Sequence, residues 1–215
     1  LKQNGFVVEE LFVRSKSKIK YFALLWKYLK IRPKYDVMIV GFPGQEVMFL
    51  ARLLTFKPII FDVFTSHYCG YILDRQYFSK KSFRSKIYRF LDKYSCKLAD
   101  AVLLDTDAHI NFFLKEFNLD SGKFRKIWIG AGDGFYPLEN AKKEDKFKVL
   151  FFGTYIPLQG IGYIIRAAKI VEKEKGVEFR IIGDGKDKTE IVQLAKDLDL
   201  KNISFVGMLD LEALK

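Results

Sequence analysis

Apolar and polar positions along this chain fall into two alternating textures. Short, nearly continuous apolar runs (VVEELFV, YDVMIVG, KPIIFDVF, ADAVLLD) are separated by longer stretches in which apolar residues return every three to four positions. The first texture predicts strands and the second predicts amphipathic helices: one over 15–34, one near 46–54 and a long one ending near Leu98. The runs at 37–40 and 101–104 are apolar on both sides of the pleat, which a parallel strand covered by helices requires. The pattern predicts an α/β chain of doubly wound, parallel-sheet type.

A polar stretch with glycine and proline, GFYPLENAKKEDK, interrupts the alternation after Asp133. It resumes with KVLFFG, a helix over about 160–175, EFRIIGDG, a further helix and NISFVG. Two α/β units are therefore expected, residues 1–140 and 141–215. The chain starts at Leu1 and ends in DLEALK, which reads as a helix opening, so both units are expected to be incomplete pieces of a longer protein.

Composition narrows the class. At 215 residues, 49% hydrophobic and 16% aromatic, the chain is too apolar to be disordered and long enough to bury a core. The two cysteines, Cys69 and Cys96, and the two histidines, His67 and His109, build neither a disulfide framework nor a zinc cluster, so no metal is expected. A reducing, cytoplasmic location fits, and no apolar run reaches the length of a membrane span.

The net charge of +11 is uneven: 1–140 holds 23 basic against 14 acidic residues, and 141–215 holds 14 against 12. A basic surface attracts polyanions without choosing among them. On a helix over 15–34, Lys16, Lys20, Lys27, Lys30 and Lys34 form a stripe beside Ile19, Phe22, Leu25, Trp26 and Leu29. Such a helix can pack on its own domain with solvated lysines, or its lysine face can meet an anionic membrane surface.

Candidate chemistry gathers where strands end. Three runs of the second unit finish in glycine, at Gly153, Gly183 and Gly207. In an open parallel sheet the ligand crevice lies beyond the carboxyl ends of the strands, where glycine lets amides approach a phosphate or sugar. Glycine is also an ordinary turn residue, and only the three together favour a shared rim. The segment 153–162, GTYIPLQGIG, joins a strand to a helix whose amides and dipole favour an anion. Neither GxGxxG nor GxxxxGK[ST] occurs, so a nicotinamide dehydrogenase and a P-loop ATPase lack support. Thr106 or Asp107 can cap a helix and leave His109 in its first turn, a structural role, and Asp133 reads as a turn residue.

In order and spacing, KVLFFGTYIPLQGIGYIIRAAKIV, VEFRIIGDG and LKNISFVGML resemble the donor-binding half of glycosyltransferase family 4, of GT-B fold, and YDVMIVG, KPIIFDVFTSHY, CKLADAVLLDTDAH and RKIWIGAGDGFYP resemble its acceptor-side domain. The resemblance implies two Rossmann-like domains facing across a cleft, a nucleotide-sugar donor as co-substrate, no other cofactor, and metal-independent transfer with retained anomeric configuration. It assigns donor diphosphate and sugar contacts to Gly153, Thr154, Gln159, Gly160, Gly183, Asp184 and Gly185, and base contacts to Val206, Gly207 and Met208. His67 stands where the family has a histidine near the donor sugar, a candidate catalytic residue. The leading reading is transfer to a lipid-linked or cell-surface glycan acceptor met peripherally at the inner membrane face, the basic first unit motivating the membrane part.

The chain departs from the family in two respects. Thr154 and Gln159 occupy positions that usually hold an arginine and a lysine, and neutral donors to phosphate are worth about half of charge-assisted ones. Arg166, Lys186 and Lys188 are the nearby cations that could compensate. The family's pair of glutamates spaced eight apart has no counterpart before Lys215, so the isolated chain is expected to lack turnover.

Two alternatives compete. A GT-B nucleotide-sugar epimerase needs acid and base carboxylates, for which Asp74 and Asp184 are the thin candidates. A basic nucleic-acid-binding module fits the pI of about 9.4. Its aromatics, however, lie in apolar runs that read as core, and no RNA- or DNA-binding signature occurs, so no nucleic-acid partner is expected.

Overall fold

The computed structural model describes residues 2–14, 17, 19–31, 34–130, 145–174, 176–210 and 213. The chain divides into two compact units, Leu1–Ile129 and Gly130–Lys215. The boundary expected at 140/141, with Asp133 and Pro137, lies outside the described residues, as does Lys16.

Unit 1 carries a parallel sheet in the order β1 (Met38–Val40), β2 (Ile59–Asp62), β3 (Ala101–Leu104) and β4 (Phe124–Lys126). Its helices are α1 (Ile19–Ile31), α2 (Val47–Leu54), α3 (Phe83–Leu98) and α4 (Asp107–Phe117). Register pairs Val40 with Phe61, Phe61 with Val102 and Val102 with Phe124, so these four side chains form one row on one sheet face. Met48 and Ala51 of α2, Cys96 of α3, and Phe113 and Phe117 of α4 close over that row as the core. Phe61 and Ile59 are fully buried, and each such side chain contributes about 1.5–3 kcal/mol.

The caps follow local chemistry. Ser82 accepts from the Ser85 N–H at the start of α3, and Thr106 accepts from the His109 N–H at the start of α4. Asn118 ends α4 in the left-handed conformation, and its N–H donates to the Leu114 carbonyl. Between β2 and α3 the chain makes a π-helical turn, Cys69–Asp74, which periodicity does not announce.

Unit 2 carries the parallel sheet β5 (Phe147–Phe152), β6 (Val177–Ile182) and β7 (Ile203–Val206). The crossover helices are α5 (Ile161–Ile170) and α6 (Lys188–Asp197). Its core centres on Tyr155, Ile161 and Ile181, with Phe151, Ile164, Ile191, Ile203 and Phe205 packed around them.

Two sequence expectations fail. Residues 7–13 form no strand; Val7 is 95% exposed, and the adjacent Glu9 and Glu10 interrupt both two-residue-period faces of VVEELFV. The helix expected to reach about 175 stops at Ile170, where the Val171 N–H donates to the Ala167 carbonyl and the backbone leaves the helical region. Conversely, β4 is a strand that the polar FRK triplet hides.

Candidate functional site

The rim of unit 2 follows from strand register. Phe152, Ile182 and Val206 are direct neighbours across β5, β6 and β7, so Gly153, Gly183 and Gly207 leave three adjacent strands at one level. The Gly153 N–H donates to the Ile182 carbonyl at 3.0 Å, and the Gly183 N–H to the Val206 carbonyl at 3.1 Å. At Gly183, with φ +135°, a Cβ would stand 1.9 Å from the Gly153 carbonyl oxygen. At Gly185, with φ +155°, it would stand 2.6 Å from the Tyr155 carbonyl oxygen. Only glycine fits either place. At Gly207 a Cβ would meet nothing within 4 Å among the described residues, so none of them dictates that glycine.

The two loops of the rim are stapled through Tyr155. Its N–H donates to the Asp184 carbonyl at 3.0 Å, and its carbonyl accepts from the Asp187 N–H at 3.1 Å. The Tyr155 side chain is fully buried, and its hydroxyl has no hydrogen-bond partner among the described residues. Gly160, with φ +62°, is the N-cap of α5 and offers no side chain to its first turn. The carboxamide carbon of Gln159 lies 3.9 Å from where a Gly153 Cβ would stand, so Gln159 covers the strand end, and Thr154 is exposed beside it.

Asp184 is exposed and committed to its own turn: one oxygen accepts from the Gly185 N–H at 2.7 Å and the other pairs with Lys188 at 2.9 Å. The Lys188 ammonium, helped by that amide, holds its carboxyl below the usual carboxylate range. Of the cations considered as substitutes, Lys188 is thus already shared, and Arg166 sits on the sixth residue of α5, about 7.5 Å along the helix from its start. Met208 is 67% exposed just beyond β7.

In unit 1, His67 follows the end of β2 by five residues and is half buried. Three aromatic rings surround its imidazole: Tyr71 at 5.7 Å, Tyr88 at 6.1 Å and Phe42 at 6.4 Å between centroids. Burial pushes the His67 pKa down, against opposing pulls from Asp92 and Glu46. Beneath it Asp92 of α3 is fully buried and accepts from the Ser66 hydroxyl at 2.7 Å, the His67 N–H at 3.0 Å and the Tyr68 N–H at 2.8 Å. Burial pushes the Asp92 carboxyl up, opposed by those three hydrogen bonds. Gln45, also fully buried, donates to the Thr65 carbonyl at 3.0 Å from the other side.

Sequence reasoning missed Asp92, Phe42, Tyr71 and Tyr88. A signal existed for Asp92: it falls on the inward stripe of α3 with Ser85, Ser95 and Cys96, where an acid has no business unless it is bonded. As expected, Thr106 caps α4 and leaves His109 in its first turn, where its Nδ1 lies 2.6 Å from Asp105 Oδ1.

Of the lysine stripe, Lys27 donates to the Phe12 carbonyl at 2.9 Å and Lys30 lies 3.6 Å over the Trp26 ring. Lys20 is half buried against Tyr21. Tyr28 donates to the Leu54 carbonyl at 3.1 Å, and Tyr21 is bonded to Glu46, so α1 docks on α2 through that side. Ile19, Phe22, Trp26 and Leu29, spaced as one stripe, stand 51–76% exposed. Among the described residues no helix is long and apolar enough to cross a membrane.

Residues 135–215 match the family described as Glycosyl transferases group 1. Among curated proteins none matches the chain. WaaG, a glycosyltransferase involved in lipopolysaccharide biosynthesis, is 17% identical over 94% of this chain and 57% of its own, with a TM-score of 0.61. Anabaena HepE, solved with UDP and glucose, is 16% identical over 97% of this chain and 58% of its own, with a TM-score of 0.61. S. aureus TarM, solved with fondaparinux, α-GlcNAc-glycerol and UDP, is 22% identical over 87% of this chain and 36% of its own, with a TM-score of 0.56. The chain spans between 36% and 58% of the length of these solved chains. The α/β fold with parallel sheets expected from the sequence is the GT-B fold of these neighbours.

Proposed function

We propose that the chain moves a sugar from a nucleotide-sugar donor held at the glycine rim of unit 2, which lies within residues 135–215, the segment that matches the glycosyl transferases group 1 family. The observation that carries this reading is the level row of Gly153, Gly183 and Gly207 within the family-matched segment, two of them bonded through their amides to the end of the neighbouring strand. HepE and TarM were solved with UDP, which favours a uridine diphosphate sugar as donor.

In this reading transfer retains anomeric configuration and needs no metal. Negative charge develops on the departing diphosphate, and the amides at the start of α5, with hydrogen bonds from Thr154 and Gln159, stabilise it. Asp184 and Gly185 face the donor sugar, and Val206, Gly207 and Met208 the base. His67, in unit 1, has its pKa pushed down by burial, which favours the neutral imidazole, with one ring nitrogen to donate and one to accept a hydrogen bond from a sugar hydroxyl. The acceptor is a lipid-linked or cell-surface glycan met at the inner membrane face, a reading supported by the exposed apolar stripe of α1 beside Lys27 and Lys30. The epimerase alternative gains nothing from Asp184, whose carboxylate is tied to Lys188.

Binding, rather than turnover, is the measurement that tests this reading, because the spaced glutamate pair does not occur in the sequence. Calorimetric titration should give UDP a dissociation constant between about 1 µM and 1 mM, tighter than UMP and unchanged by EDTA. If neither UDP, ADP nor GDP binds at about 1 mM, the donor-site reading is wrong.

A further inference from the structure

Two exposed aromatic rings stand together at the carboxyl ends of β1 and β2. Phe42 is 43% exposed and Phe64 47% exposed, with ring centroids 5.4 Å apart and planes tilted by 53°. The backbone at Phe64 has φ +53°, and the Thr65 N–H closes a three-residue turn onto the Val63 carbonyl at 2.5 Å. A bulky residue enters this left-handed region only against steric strain, and glycine or asparagine would make the turn more easily. Burial does not repay the strain, since Phe64 remains 47% exposed. Strained backbone that folding does not require points to a ligand.

The surroundings define what that ligand is. Phe42 is followed by the His67 imidazole, at 6.4 Å, and His67 by the Tyr71 ring, at 5.7 Å, so apolar ring faces adjoin groups that donate and accept hydrogen bonds. A pyranose ring has the matching surface, a C–H face and a rim of hydroxyls. A flat nucleobase calls for near-parallel rings, and the tilt of 53° does not sandwich one. A lipid chain would leave the imidazole and phenol without partners.

We propose that Phe42 and Phe64 form a stacking platform for one pyranose ring of the acceptor saccharide, with His67 and Tyr71 bonding its hydroxyl edge. That the saccharide is the acceptor rests on the proposed glycosyl transfer, and the site itself is built from unit 1 alone.

Saturation-transfer NMR with the methyl glycosides of glucose, galactose and N-acetylglucosamine tests it, on the wild type and on Phe64→Gly and Phe42→Ala, with UDP titrated in parallel. At least one glycoside should show transfer concentrated on the protons of one ring face, weakened at least about fivefold in both variants. Phe64→Gly should melt no lower than the wild type, because the strain leaves with the ring, and all three proteins should bind UDP alike. The platform is overturned if no glycoside binds the wild type, if Phe64→Gly keeps the signal, or if Phe64→Gly melts lower and so reveals a packing role. Loss of UDP binding in the wild type would count against the donor site and leave the platform standing.

Discussion

Asp92 Oδ1 accepts the backbone N–H of His67 at 3.0 Å, so the candidate catalytic histidine is held by a buried carboxylate from a helix that begins sixteen residues later. The other oxygen of Asp92 takes two donors, Ser66 Oγ and the Tyr68 N–H. Asparagine at 92 cannot serve all three, since its amide would point a donor at a donor. Asp92→Asn should lose about 2–3 kcal/mol of unfolding free energy in urea titrations followed by circular dichroism.

Protonation of His67 sets a pH dependence. Burial holds its folded pKa below the 6.5 of an unperturbed histidine, so the unfolded chain takes up the proton first as pH falls. His67 therefore leaves stability intact above about pH 6.5 and erodes it from there downward, until the folded form protonates as well. Asp92 acts with opposite sign, its raised pKa favouring the folded state at acid pH and losing that contribution as pH rises above 3.8. The His67 contribution is read as the difference between wild type and His67→Gln: in melting temperatures measured between pH 5 and 8, the wild type should lose ground to the variant as pH falls below about 6.5.

At the unit 2 rim, Gly183→Ala should be severe, because the new Cβ would stand 1.9 Å from the Gly153 carbonyl and φ is +135°. Strain of this kind costs about 1–3 kcal/mol before the clash is counted. Gly207→Ala meets nothing within 4 Å and should leave stability within about 0.5 kcal/mol. Chemical denaturation of the two variants separates them, and equal losses would contradict the geometry.

How much of this was legible in the sequence depends on the range over which each feature is determined. Parallel strands must be apolar on both faces, so AVLL and KVLFF announce β3 and β5 in their own residues. The glycine rim was readable because three strands end alike. The Asp92 network joins residues 24–26 positions apart, and only the packing of α3 against the β2 loop brings them together. The φ of Phe64 has no sequence signature at all, since phenylalanine is among the last residues expected there. VVEELFV misled because apolar content suggested a strand while the glutamate pair spoiled the two-residue period.

Replacing the neutral pair at the α5 entrance tests the phosphate assignment. Thr154 is exposed, and Gln159 lies across Gly153, so Thr154→Arg and Gln159→Lys can be accommodated at the rim. Charge-assisted bonds to phosphate are about twice as strong as neutral ones, and each substitution should tighten UDP binding about threefold to tenfold. The gain should shrink in high salt and be absent for uridine, which has no phosphate. Tightening of uridine to the same degree would show that these positions do not face the diphosphate.

The exposed face of α1 offers the clearest test of membrane contact. Phe22 and Trp26 are 76% and 60% exposed, so Phe22→Ser and Trp26→Ser remove little packing and should leave the fold unchanged. Each ring that enters a bilayer interface contributes about 1.5–3 kcal/mol, and either variant should weaken cosedimentation with vesicles rich in phosphatidylserine by about tenfold or more. Lys27 and Lys30 stand on the neighbouring face of the same helix. Lys27→Glu and Lys30→Glu should each cost about fivefold on anionic vesicles and nothing on neutral ones, with the difference fading at high salt. If the serine variants sediment with vesicles as the wild type does, the stripe has no part in lipid contact, and the acceptor must then be reached in solution.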